Sequence, residues 1–311
     1  MTLTWPTPAE PLKIGTRGSP LALAQAHETR ARLAASFGLP PEAFEIVVIK
    51  VMGDAIQDRA LKDIGGKGLF TREIEEALLE GAIDIAVHSM KDMPVDQPAG
   101  LTLDCYLPRE DVRDAFVSLT ARGLTDLPQG AVLGSSSLRR RAQVALRRPD
   151  LQLVEFRGNV QTRMKKLGDG VAHATFLAMA GLNRLGMADV PRTAIAPEEM
   201  LPALAQGAIG IERRLDDPRT EALLAAIHDR DTGLRLAAER AFLKTLDGSC
   251  QTPIAGLALL GDGLWLRGEI LRPDGSAAIA GERRGPATDG AAMGDDLARE
   301  LLAKAGPGFF G

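Results

Sequence analysis

Residues 53–94 read GDAIQDRALKDIGGKGLFTREIEEALLEGAIDIAVHSMKDMP, and the end of this stretch sets the fold class. Ile83-Asp84-Ile85-Ala86-Val87 is a short apolar run of the kind a buried strand shows. It empties into His88-Ser89-Met90-Lys91-Asp92-Met93-Pro94, which brings a hydroxyl, an ammonium and a carboxylate within a few residues. In open α/β sheets ligands collect just outside the carboxyl ends of strands, so Lys91 and Asp92 stand where chemistry is expected. The plainer reading is a solvated loop charge. Upstream, Thr71 is placed to cap a helix carrying Glu73 and Glu75 in its first turn. Ile64-Gly65-Gly66-Lys67-Gly68 lacks the GxxxxGK[ST] spacing of a phosphate loop and reads alone as a mobile turn.

Toward the N-terminus, Leu12 to Thr16 reads as a first strand, followed by Arg17-Gly18-Ser19-Pro20 and an Ala/Leu-rich helix. Ser19 suits the N-cap and Pro20 the first helical position. Free N–H groups at a helix start also attract anions, and Arg17 lies beside them. Phe44 to Val51 is a second strand. Toward the C-terminus, strands at Leu101–Leu107 and Ala115–Leu119 flank Pro108-Arg109-Glu110-Asp111. Ala131–Gly134 leads into Ser135-Ser136-Ser137-Leu138-Arg139-Arg140-Arg141, and Leu151–Phe156 into Arg157-Gly158-Asn159-Val160-Gln161-Thr162-Arg163. Both arginine groups fall where a strand turns into a helix. Such alternation argues for an α/β fold with helices on the faces of a parallel sheet. Helices follow from Asp217 to about His228 and from Gly233 to Leu246. Strands at Pro253–Leu260, Leu264–Leu271 and Ala277–Glu282, with a helix at Gly290–Lys304, then form a small α+β domain.

With 311 residues the chain has room for about two or three domains. Aromatic residues make up 4% and the net charge is −4, which disfavours a base-stacking platform and an anionic surface as partner. Two cysteines, Cys105 and Cys250, without CxxC spacing argue against zinc and a disulfide framework. The start, MTLTWPTPAEPLK, has no basic and apolar leader, and no apolar run has membrane-spanning length. The expectation is a cytoplasmic protein with reduced thiols.

IGGKGLFT (64–71) and VHSMKDMP (87–94) closely resemble the porphobilinogen deaminase (hydroxymethylbilane synthase) family of tetrapyrrole biosynthesis. RGSPLALAQA, PREDVRD, SSLRR, RGNVQTR, LAMAGLNRLG, LPALAQGAIGIE and ERAFLKTLDGSCQTPI continue the resemblance in order, from about Lys13 to Ile254. Departures from the family's pattern are Val112 for proline, His173 for aspartate, Ala205, Ser249 and Ala255 for glycine; His173 reads as structural. The resemblance implies two lobes like those of periplasmic binding proteins, with mixed, mostly parallel sheets, and a small α+β C-terminal domain. It divides the chain into domain 1 at 1–107 and 203–225, domain 2 at 108–202 and domain 3 at 226–311.

The resemblance also implies the chemistry. Porphobilinogen loses ammonia to give an electron-poor azafulvene that a pyrrole α-carbon of the growing chain attacks. Four units thus become hydroxymethylbilane, the precursor of haem, chlorophyll and cobalamin. A thiolate traps the same electrophile, so a dipyrromethane cofactor is expected as a thioether on Cys250. Asp92 receives the catalytic role: it protonates the leaving amine, steadies the cationic pyrrole and takes up a proton. Cofactor contacts fall to Lys91, Ser89, Ser136, Ser137, Arg139, Arg140, Arg157 and Gly158. Substrate contacts fall to Arg17, Ser19, Lys67, Phe70, Arg157, Arg163, Arg184 and Gln206. Guanidinium groups suit this work because each clamps a carboxylate bidentately. Partners are porphobilinogen and the growing polypyrrole, with no metal, nucleic acid or membrane, and the family suggests a monomer. A lid role for residues 62–70 and a hinged cleft that opens as the chain lengthens are further possibilities.

Two other readings compete. A non-catalytic two-lobed anion binder would explain the arginines but leave Asp92 and Cys250 idle. Nucleic-acid binding through Arg139 to Arg148 would require steep salt dependence, and fits poorly with the net charge and aromatic content.

Overall fold

The structure is a computed structural model that describes residues 4–52, 71–248 and 252–310. Lys67, Phe70, the segment 62–70, Ser249 and Cys250 lie outside the described residues. The chain divides into two compact units, Met1–Glu110 with Ala208–Gly233, and Asp111–Gly207 with Leu234–Gly311.

In the first unit, strand β1 (Leu12–Arg17) feeds helix α1 (Pro20–Phe37), and β2 (Phe44–Ile49) returns parallel to β1. After helix α2 (Arg72–Leu79), β3 (Ile85–Ser89) pairs parallel with β1 on its other side. Strand β4 (Leu101–Tyr106) forms an edge. The strand between β3 and β4 comes from much later in the chain: β10 (Ile209–Arg214) is antiparallel to both. The order is β2-β1-β3-β10-β4. Leu12, Ile14, Leu33, Phe44, Val87, Ile209 and Ile211 fill the core on the α1 face. Strand β10 is buried from Ile209 to Arg213 although its second half is charged, because Glu212 meets His88 and Arg213 meets Asp104, and its sequence therefore shows no clean alternation. The second unit repeats this arrangement with β5 (Asp114–Ser118), β6 (Val132–Gly134), β7 (Gln152–Val154), β8 (Ala174–Ala178) and β9 (Arg192–Ala194), in the order β7-β6-β8-β5-β9. Here β6 pairs parallel with β7 and β8, while β5 is antiparallel to β8 and β9. Helices α3 (Leu138–Arg147), α4 (Val160–Gly168) and α5 (Met179–Arg184) follow β6, β7 and β8. Each sheet is therefore mixed, with a parallel trio on one side and an antiparallel trio on the other.

Within the second unit, β11 (Ile254–Leu260), β12 (Leu264–Leu271) and β13 (Ala278–Gly285) make an antiparallel meander. Helices α7 (Arg230–Thr245) and α8 (Gly290–Ala305) contribute to the core over it. Gly268 is required there, since a Cβ would fall 2.5 Å from the ring of Phe242. The remaining helix, α6 (Pro218–Ala225), lies in the first unit and is capped by Asp217, which accepts from the Thr220 N–H.

Helix starts follow the sequence with one correction. Ser19, Ser137 and Asn159 cap α1, α3 and α4 through their side chains. Thr71 precedes α2, but its hydroxyl makes no cap, and only its carbonyl receives the N–H groups of Ile74 and Glu75. His173 is structural, its Nδ1 accepting from the Val132 N–H at 3.1 Å. Ala205 occupies a left-handed conformation with φ of 58°, where the family's glycine would sit without strain.

Candidate functional site

In the first unit the candidate residues collect at the carboxyl ends of the neighbouring parallel strands β1 and β3. Strand β3 ends at Ser89 and runs into a 3-10 turn, Met90–Asp92. Buried Met90 and Met93 pin this turn from below, and the Met90 N–H donates to the Ala208 carbonyl on the chain entering β10. Pinning the residues on either side turns Lys91 and Asp92 outward, Lys91 half-buried and Asp92 exposed. Among the described residues no hydrogen bond or ion pair holds the Asp92 carboxylate, so it remains available to a ligand. The Ser89 hydroxyl exchanges hydrogen bonds with the side-chain amide of buried Gln25 on α1, at 2.8 and 3.1 Å. Arg17 ends β1, and the Ser19 Oγ accepts from the Ala22 N–H at 3.3 Å. Behind the turn, His88 Nε2 lies 3.1 Å from Glu212 on β10, both side chains buried. Glu75 of α2 lies in the electrostatic field of both. Its carboxyl is raised, chiefly by burial, with Glu212 adding to the effect and Thr71 and His88 opposing it.

In the second unit the arginines gather around a residue the sequence reading passed over. Asp114, first in β5, is fully buried. Its Oδ2 lies 2.8 Å from Arg139 Nη1, and its Oδ1 accepts from Arg140 Nη2 at 2.7 Å and Nε at 3.2 Å. Buried Gln206 donates to the same Oδ1 at 3.0 Å and to the Val112 carbonyl at 2.8 Å. Burial alone would raise the Asp114 carboxyl, but the two guanidinium groups outweigh it and hold it far below its ordinary value. Arg139 Nη1 donates to Gln143 Oε1 and the Leu201 carbonyl, so its contact with Asp114 Oδ2 is an ion pair without a hydrogen bond, and its Nε has no hydrogen-bond partner. Arg140 Nη1 and Arg163 Nη1 both reach the Phe176 carbonyl, at 3.0 and 3.2 Å.

Arg163 donates besides only to the Gly158 carbonyl, so no described carboxylate faces it. Burial, with the adjacent charge of Arg140, pushes this guanidinium down to about 10. Gly158 holds φ at 117°, and a Cβ there would meet Thr162 Cγ2 at 2.6 Å. Ser137 Oγ accepts from the Arg140 N–H, and Ser136 Oγ accepts from the Phe156 N–H. Arg157 stands half-buried between β7 and α4, and Arg184 donates to the Gly207 carbonyl at 3.1 Å. The structure thus gathers Arg139, Arg140, Arg163 and Gln206, with Gln206 supporting Asp114 and Arg184 placed at a different carbonyl. Cys105 is buried, donates to the Leu224 carbonyl, and has its thiol pushed up to about 12, chiefly by burial. Such a thiol is inert.

Sequence comparison decides what these groups belong to. A family model described as porphobilinogen deaminase, dipyromethane cofactor binding domain, matches residues 12–222. A second, porphobilinogen deaminase, C-terminal domain, matches residues 234–303. The chain is 72% identical over 306 residues to the porphobilinogen deaminase of Paracoccus denitrificans (strain Pd 1222), covering 98% of each chain. The chain belongs to the porphobilinogen deaminase family. Solved structures overlap more loosely. A putative methionine-binding lipoprotein of Bacillus subtilis is 13% identical, with a TM-score of 0.42 over 72% of this chain and 92% of that one. The periplasmic aliphatic sulphonate binding protein of Escherichia coli is 15% identical, with a TM-score of 0.41 over 76% of this chain and 71% of that one. Among the described residues of this porphobilinogen deaminase family member, no group of three His, Cys, Asp or Glu could hold a metal ion, and no helix is long and apolar enough to cross a membrane.

Proposed function

We infer that the chain joins four porphobilinogen molecules head to tail into hydroxymethylbilane, with release of ammonia, on a bound dipyrromethane. Family membership over nearly the whole chain is the observation that carries this reading. The residues present fit an anionic dipyrrole. Arg139 has an orphaned buried Nε, Arg163 lacks a carboxylate, and the capped N-termini of α3 and α4 bring further N–H groups to the same sheet end. Ser89, Lys91, Ser136, Ser137, Arg139, Arg140, Arg157 and Gly158 would hold the cofactor. Cys250 is the attachment point. When bound, the dipyrromethane supplies the pyrrole carbon from which the chain is extended.

The chain's own residues do the rest. Arg17, Ser19, Lys67, Phe70, Arg157, Arg163, Arg184 and Gln206 form the substrate set of this reading. Arg163 clamps a carboxylate directly, whereas Gln206 acts on the set through Asp114. Asp92 gives a proton to the departing amine, faces the cationic pyrrole as its counter-charge, and accepts the proton released when the new carbon–carbon bond forms. An exposed, unpartnered carboxylate on a pinned turn suits all three tasks, because it is positioned without being committed. The protein acts as a monomer in the cytoplasm, and its three parts divide at 1–107 with 203–225, 108–202 and 226–311.

The test is ammonia release and polypyrrole formation from porphobilinogen, with an Asp92→Asn variant in parallel. Turnover should fall by about 100-fold or more in the variant, as for loss of a positioned acid–base group. An Asp92→Asn protein that turns over at the wild-type rate would remove Asp92 from the mechanism.

A further inference from the structure

We propose that Asp114 is the positioning residue of the anion site, fixing the aim of Arg139 and Arg140 and being itself held by Gln206; this rests on the reading above. Three observations support it. The carboxylate is fully buried and its two oxygens are divided between the two guanidiniums, Oδ2 on Arg139 and Oδ1 on Arg140. The Gln206 amide braces Oδ1, and its other bond to the Val112 carbonyl ties that brace to the chain entering β5. The Phe176 carbonyl fixes the far edge of Arg140 and is shared with Arg163. A guanidinium whose plane is set on two sides can turn only its remaining N–H groups toward a ligand carboxylate, so Asp114 decides the direction in which the site donates.

Stability does not account for the arrangement. A buried Arg–Asp–Arg group is no more stabilising than apolar residues of similar volume, because desolvation offsets the attraction. The charges also do not balance. Arg139 and Arg140 face Asp114, Glu269 bonds Gln143 and lies in the field of Arg139, and Arg163, which shares the Phe176 carbonyl with Arg140, faces no described carboxylate, so one positive charge is in surplus. A structural ion pair would have been neutral. A surplus held in fixed geometry is what an incoming pyrrole carboxylate needs.

The test compares the full-length protein with Asp114→Asn and Gln206→Met. Asp114→Asn keeps shape but removes the charge. The share of purified protein carrying the dipyrrole adduct should fall, by intact mass, and KM for porphobilinogen should rise by about tenfold or more, the loss of one charge-assisted bond. Turnover at saturation, counted per adduct-bearing protein, should change by less than about threefold, since Asp92 is untouched. The arginine Nε–H resonances of the unreacted protein should lose their slow-exchanging members. Gln206→Met should move KM in the same direction by less. A folded Asp114→Asn protein with wild-type adduct and KM overturns the proposal, as does one that loses turnover with KM unchanged. If Asp114→Asn fails to fold, a wild-type KM in Gln206→Met overturns it. Failure of the underlying reading is seen separately, as wild-type protein that neither carries an adduct nor releases ammonia from porphobilinogen.

Discussion

Replacing Arg163 by methionine should leave stability nearly unchanged while weakening the anion site. The guanidinium is driven down to about 10, first by burial and then by the charge of Arg140. Such a fall amounts to roughly 3 kcal/mol against the charged form. Arg163 is only partly buried, so solvent screening reduces this to roughly 1–2 kcal/mol. Removing the charge recovers that cost. Against it stand two hydrogen bonds, to the carbonyls of Gly158 and Phe176, each worth a net of about 1 kcal/mol. The Phe176 carbonyl keeps its bond from Arg140, and the exposed Gly158 can turn to water. Methionine retains the packing of the arginine stem. The opposing effects cancel to within about 1 kcal/mol, whereas a carboxylate ligand loses a charge-assisted contact of about 1.5–3 kcal/mol, or roughly 10- to 100-fold in affinity. Urea unfolding of wild type and variant, together with the adduct fraction by intact mass, measures both. A variant destabilised by more than about 3 kcal/mol, with adduct and KM intact, would make Arg163 a structural residue and refute the reasoning.

The other predictions concern the groups around the two strand ends. His88→Ala leaves Glu212 buried without its partner and should cost about 3–5 kcal/mol in chemical denaturation, whereas an exposed-site control should cost under about 0.5. Acid should destabilise the protein through Asp114 and Asp150, whose folded-state values are depressed, that of Asp150 to about 2. Their contribution is present above the ordinary carboxylate value near about 4 and is lost as pH falls below it. Glu75 acts with the opposite sign, since its raised carboxyl contributes below its ordinary value and loses that contribution as pH rises. Urea midpoints that stay level from pH 6 to about pH 3 would contradict the acid prediction.

Most of the fold was legible because its strands are short apolar runs ending in turn-forming residues, as at Ile83–Val87 and Ala131–Gly134. The caps Ser19 and Ser137 were legible for the same local reason, while Thr71 showed the limit, since a residue type suited to capping does not fix where its hydroxyl points. Strand β10 could be placed in the first unit only through the family resemblance, because pairing with β3 and β4 across more than a hundred residues leaves no local signal. Strand β9, three residues of mixed polarity, gave none either. Of the candidate site, the positively charged residues stood out because arginines at strand-to-helix turns are conspicuous. Their partners did not. Asp114 sits in a run with Glu110 and Asp111, and nothing in residue type distinguishes the buried carboxylate from its neighbours. Gln25 was hidden in an Ala/Leu-rich helix, where a lone glutamine reads as surface until its amide is seen on Ser89. The amide nitrogen of Gln206 reaches Asp114 and the Val112 carbonyl, contacts that its place in LPALAQGAIGIE does not reveal.

The central claim is that this chain builds a polypyrrole on a dipyrromethane held by Cys250. The most direct measurement is the intact mass of the purified protein beside a Cys250→Ala variant. An excess equal to two linked pyrrole units in the wild type, absent from the variant, is the predicted result. A wild-type protein at its bare polypeptide mass, which gains nothing on incubation with porphobilinogen, would contradict the account and leave an anion binder in its place.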